Sequence, residues 1–329
     1  MASSCGTSFR ALLLTGDNCM RCLRIILAVL TLSRIVVAAQ DDGVVCHQQY
    51  KTQNNCYRVY KPANAARGLV VLLPYYGSDA NEFSSAALPG LLAQKNVATM
   101  VVSAAGYLKN DDLVTLAQLI AEVAQELKIP AGGLVVGGIS AGGTGAVRYA
   151  EYCISGHRDA RFTPMAIFSV DAPLDFESWW NREKMNLRRG DPKSSVEESQ
   201  GVMGALRSAM GGSPSQVPQA YRSRSPFLAS ERDGGNARLL KNLPVRLYTE
   251  PDVVWTIENI GRDYYTLNAL DQGALFLQLR ALGNTRVELI TTTGKGFRPP
   301  GTRNTHSWTI VDEPELAEWI DAHISSGRP

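Results

Sequence analysis

Short runs that are apolar at nearly every position alternate with longer amphipathic stretches along most of this chain. GLVVLL (68–73), VATMVVS (97–103), LVVGGI (134–139) and MAIFSV (165–170) have the pattern of strands covered on both faces. Between the first two, DANEFSSAALPGLLAQKN reads as a helix opening at the candidate caps Ser78 and Asp79. Asp111 and Asp112 open a second helix, with apolar residues at 113, 116, 120, 123, 124 and 127 keeping a helical period until Pro130. GGTGAVRYAEYC (142–153) is a third. The alternation resumes with PVRLYT (244–249) as strand, TLNALDQGALFLQLRALG (266–283) as helix, RVELITT (286–292) as strand and EPELAEWIDAHI (313–324) as helix. Repeated β–α alternation predicts an α/β fold with a mostly parallel central sheet and helices on both faces. Reactive groups then belong at the C-terminal ends of the strands.

Two stretches break the rhythm. From Asp175 to about Asn242 the chain turns polar, with Trp179-Trp180, Arg188-Arg189, GGSPSQVP and one helical segment near VMGALRSAM (202–210). A long structureless loop inside a compact domain is uncommon, so 175–242 reads as an insertion forming a cap or elaborated loop within one domain. The second is the N-terminus. Cys22 to Ala39 is apolar apart from Arg24, Thr31, Ser33 and Arg34, and ends in small residues at Val37-Ala38-Ala39. That is the pattern of a secretory signal, with an uncleaved anchor or a buried helix as the alternatives. The expectation is a leader over 1–39, with Met20 as the candidate initiator, and a secreted or periplasmic domain over 40–329 with no stable membrane span after cleavage.

Composition narrows the picture further. At 45% apolar and 19% charged residues the chain lies far from the disordered class, and a net charge of +2 gives no electrostatic case for nucleic acid. Cys46 and Cys56 flank HQQYKTQNN between two strand-like segments, so the thiols face each other across a hairpin, bridged or as two reduced cysteines. Cys153 reads as a small buried apolar residue. With no CxxC or HxxxH spacing over 40–329, zinc is disfavoured in the expected mature chain.

The strongest chemical signal is Gly138-Ile139-Ser140-Ala141-Gly142, placed between a strand and a helix. A sharp strand-to-helix turn lifts a serine hydroxyl clear of the sheet, and flanking glycines remove the Cβ atoms that would clash there. Ser140 is the candidate nucleophile, and the Ala141 N–H is a candidate oxyanion donor. A Gly-rich turn that only packs a helix is the alternative. Serine needs a base, and of the four histidines His306 lies after the last sheet strand and before the final helix, where an imidazole can lean over the sheet edge. His47, His157 and His323 lie in the hairpin, a polar loop and the last helix. The third group is an acid. Asp252, after the strand 244–249, is preferred; Glu250 and then Asp171, directly after the strand 165–170, remain alternatives. A second oxyanion donor is expected from Pro74-Tyr75-Tyr76-Gly77, with the Tyr75 N–H slightly preferred to that of Tyr76.

In order and context these motifs resemble the α/β-hydrolase superfamily of serine esterases, lipases and peptidases, over roughly residues 65–325. Glu250-Pro251-Asp252, Arg262-Asp263-Tyr264-Tyr265 and His306-Ser307-Trp308 are similar to features of a bacterial group of secreted hydrolases. PYYG stands where lipase-type members carry an HGGG-type loop. The resemblance implies acyl transfer to water through an acyl-enzyme on a small-molecule or polymer-attached acyl ester, with no metal or organic cofactor. An exopeptidase or acyltransferase on the same triad, or a non-catalytic binding module, are the competing readings. Trp179, Trp180, Trp255 and Tyr264-Tyr265 form either core or an apolar or sugar-stacking wall.

Overall fold

Five apolar runs buried at every position make the middle of one eight-stranded sheet, with partly buried strands beside them and an exposed strand at its N-terminal edge. A computed structural model describes residues 39–158, 160–190, 193–298 and 300–326; the expected leader lies outside the described residues. The strands are β1 (Gln40–Cys46), β2 (Cys56–Lys61), β3 (Gly68–Leu73), β4 (Val97–Val102), β5 (Leu134–Ile139), β6 (Ala166–Val170), β7 (Val245–Thr249) and β8 (Val287–Thr291), in spatial order β1-β2-β4-β3-β5-β6-β7-β8. β1 pairs with β2, and β2 with β4, in antiparallel fashion; every other pairing is parallel. Cys46 stands opposite Cys56 in the β1–β2 register and the two are joined by a disulfide.

The helices are α1 (Leu88–Gln94), α2 (Asn110–Glu126), α3 (Ala141–Ile154), α4 (Phe176–Arg189), α5 (Lys193–Met210), α6 (Pro218–Arg224), α7 (Val253–Ile260), α8 (Ala269–Ala281) and α9 (Glu313–Ser326). On one face of the sheet Val71, Met100 and Val136 pack with Leu116, Ile120, Val147 and Leu275 from α2, α3 and α8. On the other, Val70, Leu72, Val135 and Phe168 meet Leu88, Leu92, Leu316 and Ile320 from α1 and α9. Each such fully buried aliphatic side chain contributes about 1.5–3 kcal/mol, which makes the sheet a stiff platform for whatever its strand ends carry. Among the described residues no helix is long and apolar enough to cross a membrane.

Two expectations change. The helix expected from Ser78 is a series of turns as far as Ala87 and becomes helical only at Leu88. Pro89 explains this: it is tolerated in a helix's first turn and would break the interior of a longer one. The insertion is also more ordered than its composition suggests. α4, α5 and α6 gather Phe176, Trp180, Leu206, Met210 and Tyr221 into a small core of their own, so Trp180 is packing rather than binding surface.

Candidate functional site

The Gly-x-Ser-x-Gly turn forms a tight elbow between β5 and α3. Ser140 has φ 56° and ψ −126°, a left-handed conformation that L-residues rarely adopt and that costs about 1–3 kcal/mol. Gly138 and Gly142 allow it: a Cβ on either would run into the Leu73 carbonyl at the end of β3. The elbow therefore abuts the start of the Pro74-Tyr75 loop. Thr144 N bonds the Ser140 carbonyl, and the first N–H groups of α3, including that of Ala141, have no acceptor within the helix.

The parallel register then sets the neighbour. Ile139 pairs with Val170, and Ser140 N donates to the Val170 carbonyl at 2.9 Å, so Asp171 begins one strand over from Ser140. Asp171 is itself at φ 42°, with its N–H on the Tyr248 carbonyl at 2.9 Å. Two non-glycine residues therefore hold positive φ side by side at adjacent strand ends, a strain of the kind that clusters at functional sites. Asn268 Nδ2 donates to the Asp171 carbonyl at 2.9 Å. The Asp171 side chain takes the long-range contact that matters: its Oδ2 lies 2.6 Å from His306 Nδ1. A carboxylate partner requires the proton on Nδ1 and leaves the Nε2 lone pair free, the tautomer a general base needs.

His306 arrives on a braced loop. After β8 the chain makes a small antiparallel pair, β9 (Phe297–Arg298) with β10 (Thr302–Arg303), and His306 follows. His306 N donates to Asn304 Oδ1 at 2.9 Å, and Arg298 Nη2 donates to the His306 carbonyl at 2.5 Å. The Tyr75 ring stands edge-on to the imidazole, centroids 5.6 Å apart, and its hydroxyl accepts the Trp308 N–H at 2.9 Å. Burial, more than any other influence, raises the Tyr75 phenol above its ordinary pKa, so it stays protonated. The structure thus brings Asp171, His306 and the Tyr75 ring into contact at the C-terminal edge of the sheet and sets Ser140 at the neighbouring strand end, with no hydrogen bond between Ser140 and His306.

Asp252, the acid preferred from sequence order, is occupied elsewhere. Its Oδ1 caps α7 by accepting the Trp255 N–H at 3.0 Å, and its Oδ2 accepts from Arg303 Nη1 at 2.5 Å. These two contacts, the capping bond first, hold its carboxyl below the ordinary range. Glu250 is equally committed, accepting from Thr292 Oγ1 at 2.5 Å, Gly294 N at 2.7 Å and Arg303 Nη2 at 3.1 Å. Arg303 lies over the Trp255 ring, so this third tryptophan is part of the brace. The physical reason is competition: a permanently charged guanidinium three residues before His306 claims both acids, whereas among the described residues no Lys or Arg pairs with Asp171. A signal for it was present, since β5 and β6 are consecutive apolar strands and Asp171 directly follows the second.

The other histidines lie apart from this cluster. His47 Nε2 is 3.1 Å from Glu122 Oε1, His157 stacks on Tyr152 at 3.9 Å, and His323 Nδ1 is 2.8 Å from the Trp319 carbonyl. Among the described residues no group of three or more His, Cys, Asp or Glu forms a metal cage.

No family model and no curated protein matches this sequence. Solved structures do match in shape. MPT51 (FbpC1) of Mycobacterium tuberculosis superposes with a TM-score of 0.57 at 16% identity, over 88% of this chain and 100% of that one. Esterase B of Lactobacillus rhamnosis gives 0.57 at 12% identity, over 94% and 95%. An S-formylglutathione hydrolase from Agrobacterium tumefaciens gives 0.51 at 13% identity, over 88% and 95%. Overlap this complete at identities this low is a statement about architecture, and with the strand order and the elbow it establishes that this chain has the α/β-hydrolase fold.

Proposed function

We propose that the protein is a serine hydrolase that cleaves a carboxylic ester through an acyl-enzyme. One observation carries the reading: a serine at a strained strand–helix elbow sits one strand away from an aspartate that holds the imidazole of His306 by Nδ1. Esterases among the proteins of like shape agree with it. Ser140 Oγ attacks the ester carbonyl carbon as His306 Nε2 takes its proton. Asp171 stabilises the resulting imidazolium and fixes the ring's orientation. The carbonyl oxygen, now an oxyanion, accepts from the Ala141 N–H and from an N–H of the Tyr75-Tyr76 loop, donors whose individual loss costs about 10²–10³-fold in rate. His306 returns the proton to the departing alkoxide, and water repeats the sequence to release the acid. The leader pattern and the Cys46–Cys56 disulfide favour an exported enzyme.

A fluorophosphonate probe and a series of p-nitrophenyl esters test the proposal on wild type, Ser140→Ala and His306→Ala. The expected result is labelling at Ser140, ester turnover by wild type, and a loss of about 10³-fold or more in each variant. Labelling without turnover of any ester would overturn the ester assignment, and absence of labelling would overturn the serine hydrolase assignment.

A further inference from the structure

A cavity of about 420 Å³ opens where the insertion meets the body of the domain, between the first turns of α4 and the segment linking α7 to α8. That volume is in the range of sites that bind small molecules. Ser140, Asp171 and His306 are not among its lining residues, but two short connections link it to them. Only three residues of chain, 172–174, separate Asp171 from Asp175 at the cavity floor, a span of at most about 14 Å when extended. Asn268, which bonds the Asp171 carbonyl, is flanked by Tyr265 and Leu270 of the cavity wall.

The polar groups of the floor are already partnered. Asp175 accepts from Ser178 N and Ala229 N, each at 2.9 Å, and Arg182 is ion-paired to the buried Asp271. The groups left to meet a ligand are of three kinds. Tyr265 is 68% exposed, an unusual position for an aromatic residue. The Asn181 amide has no protein partner among the described residues, and it offers both donors and an acceptor. Glu177 takes the Ser230 hydroxyl at 2.8 Å and keeps further acceptor capacity.

An exposed aromatic face beside an amide and a carboxylate suits a ring with one apolar C–H face and a rim of hydroxyls. A plain alkyl alcohol would leave Asn181 and Glu177 facing apolar atoms. An anionic alcohol would meet the carboxylates of Asp175 and Glu177, while Arg182 is already paired with the buried Asp271. We infer that this cavity binds the alcohol portion of the ester and that this portion is a sugar, its ring stacked on Tyr265 and its hydroxyls bonded to Asn181 and Glu177. The inference rests on the hydrolase reading. In the reaction the bond between the acyl carbon and the sugar oxygen breaks as the bond to Ser140 Oγ forms, and the sugar oxygen leaves with the proton carried by His306.

The test holds the acyl group constant and changes the alcohol: monobutyryl esters of glucose, galactose and xylose are compared with butyl butyrate. The expected result is a kcat/KM at least ~10-fold higher for one or more of the sugar esters, with that ratio falling by most of its value, chiefly through KM, in Tyr265→Ala and in Asn181→Ala. Ratios near one for all three sugars, or ratios unmoved in both variants, overturn the inference while leaving the ester hydrolase reading intact. Should Ser140 fail to label with the fluorophosphonate, saturation-transfer NMR of the same three free sugars on the full chain and on Tyr265→Ala decides the cavity's role separately. Signal lost in the variant supports sugar binding there, and equal signal or none overturns it.

Discussion

The loops after β6 and β7 leave adjacent strands of the same sheet at the same edge, and each carries carboxylates within reach of the segment that bears His306. They do opposite work. After β6, Asp171 has positive φ and its Oδ2 faces an imidazole. After β7, Glu250 and Asp252 close around Arg303, and Asp252 caps α7 as well. One loop meets the histidine, and the other anchors the polypeptide that delivers it. An acid at a strand end is therefore defined by the cation or ring it finds, because a carboxylate already paired with a guanidinium is a poor partner for a second group that must gain and lose a proton.

The sharpest way to break this contrast is to neutralise each acid in turn. Asp171→Asn is expected to lower kcat by about 10³–10⁴-fold by removing the acceptor that fixes the His306 tautomer, while Asp252→Asn stays within about tenfold of wild type. Ester turnover under saturation reads both, and the reverse ranking would return the catalytic role to the β7 loop. Removing the anchor should have an intermediate effect. In Arg303→Met, Glu250 is left buried with only Thr292 and Gly294 as partners, so stability falls by about 2 kcal/mol and kcat by about 10–100-fold as the His306 loop loosens. Partial rescue by Arg303→Lys, measured as kcat with thermal unfolding alongside, distinguishes positioning from chemistry.

The smallest effect concerns pH. The Trp255 N–H and then Arg303 hold the folded Asp252 carboxyl below the ordinary value of 3.8. A depressed folded pKa means that its stabilisation is present above that ordinary value and is lost as pH falls through the lowered one. Thermal unfolding followed over about pH 2 to 6 should show a shallower acid limb in Asp252→Asn than in wild type. Identical acid limbs would mean that the Arg303 pair contributes nothing to the fold.

Much of this architecture could be read along the chain. Strands such as 68–73 and 134–139 are apolar at nearly every position, and a doubly covered sheet is the arrangement that buries them all. Ser140 was equally plain, since its two glycines, the preceding strand and the following helix are contiguous. The cysteine pair followed from hairpin register, and His306 from its place between the last sheet strand and the final helix. The helix start at Leu88 was misplaced because local polarity suggested caps at Ser78 and Asp79, while Pro89 decided the boundary. Of the aromatic wall, Trp180 went to the insertion's core and Trp255 under Arg303, and Tyr265 stayed in the open.

By itself the sequence determined the sheet strands, their parallel arrangement, the serine at the elbow and the histidine loop, because each is carried by a local pattern; the helices of the insertion and the start of α1 were not so carried. Only the tertiary structure decided which carboxylate meets that histidine. Asp171 and His306 are 135 positions apart, and their pairing depends on strand register and on Arg303 having taken the rival acids. Competition of that kind is settled among groups that share space, and no local pattern encodes it.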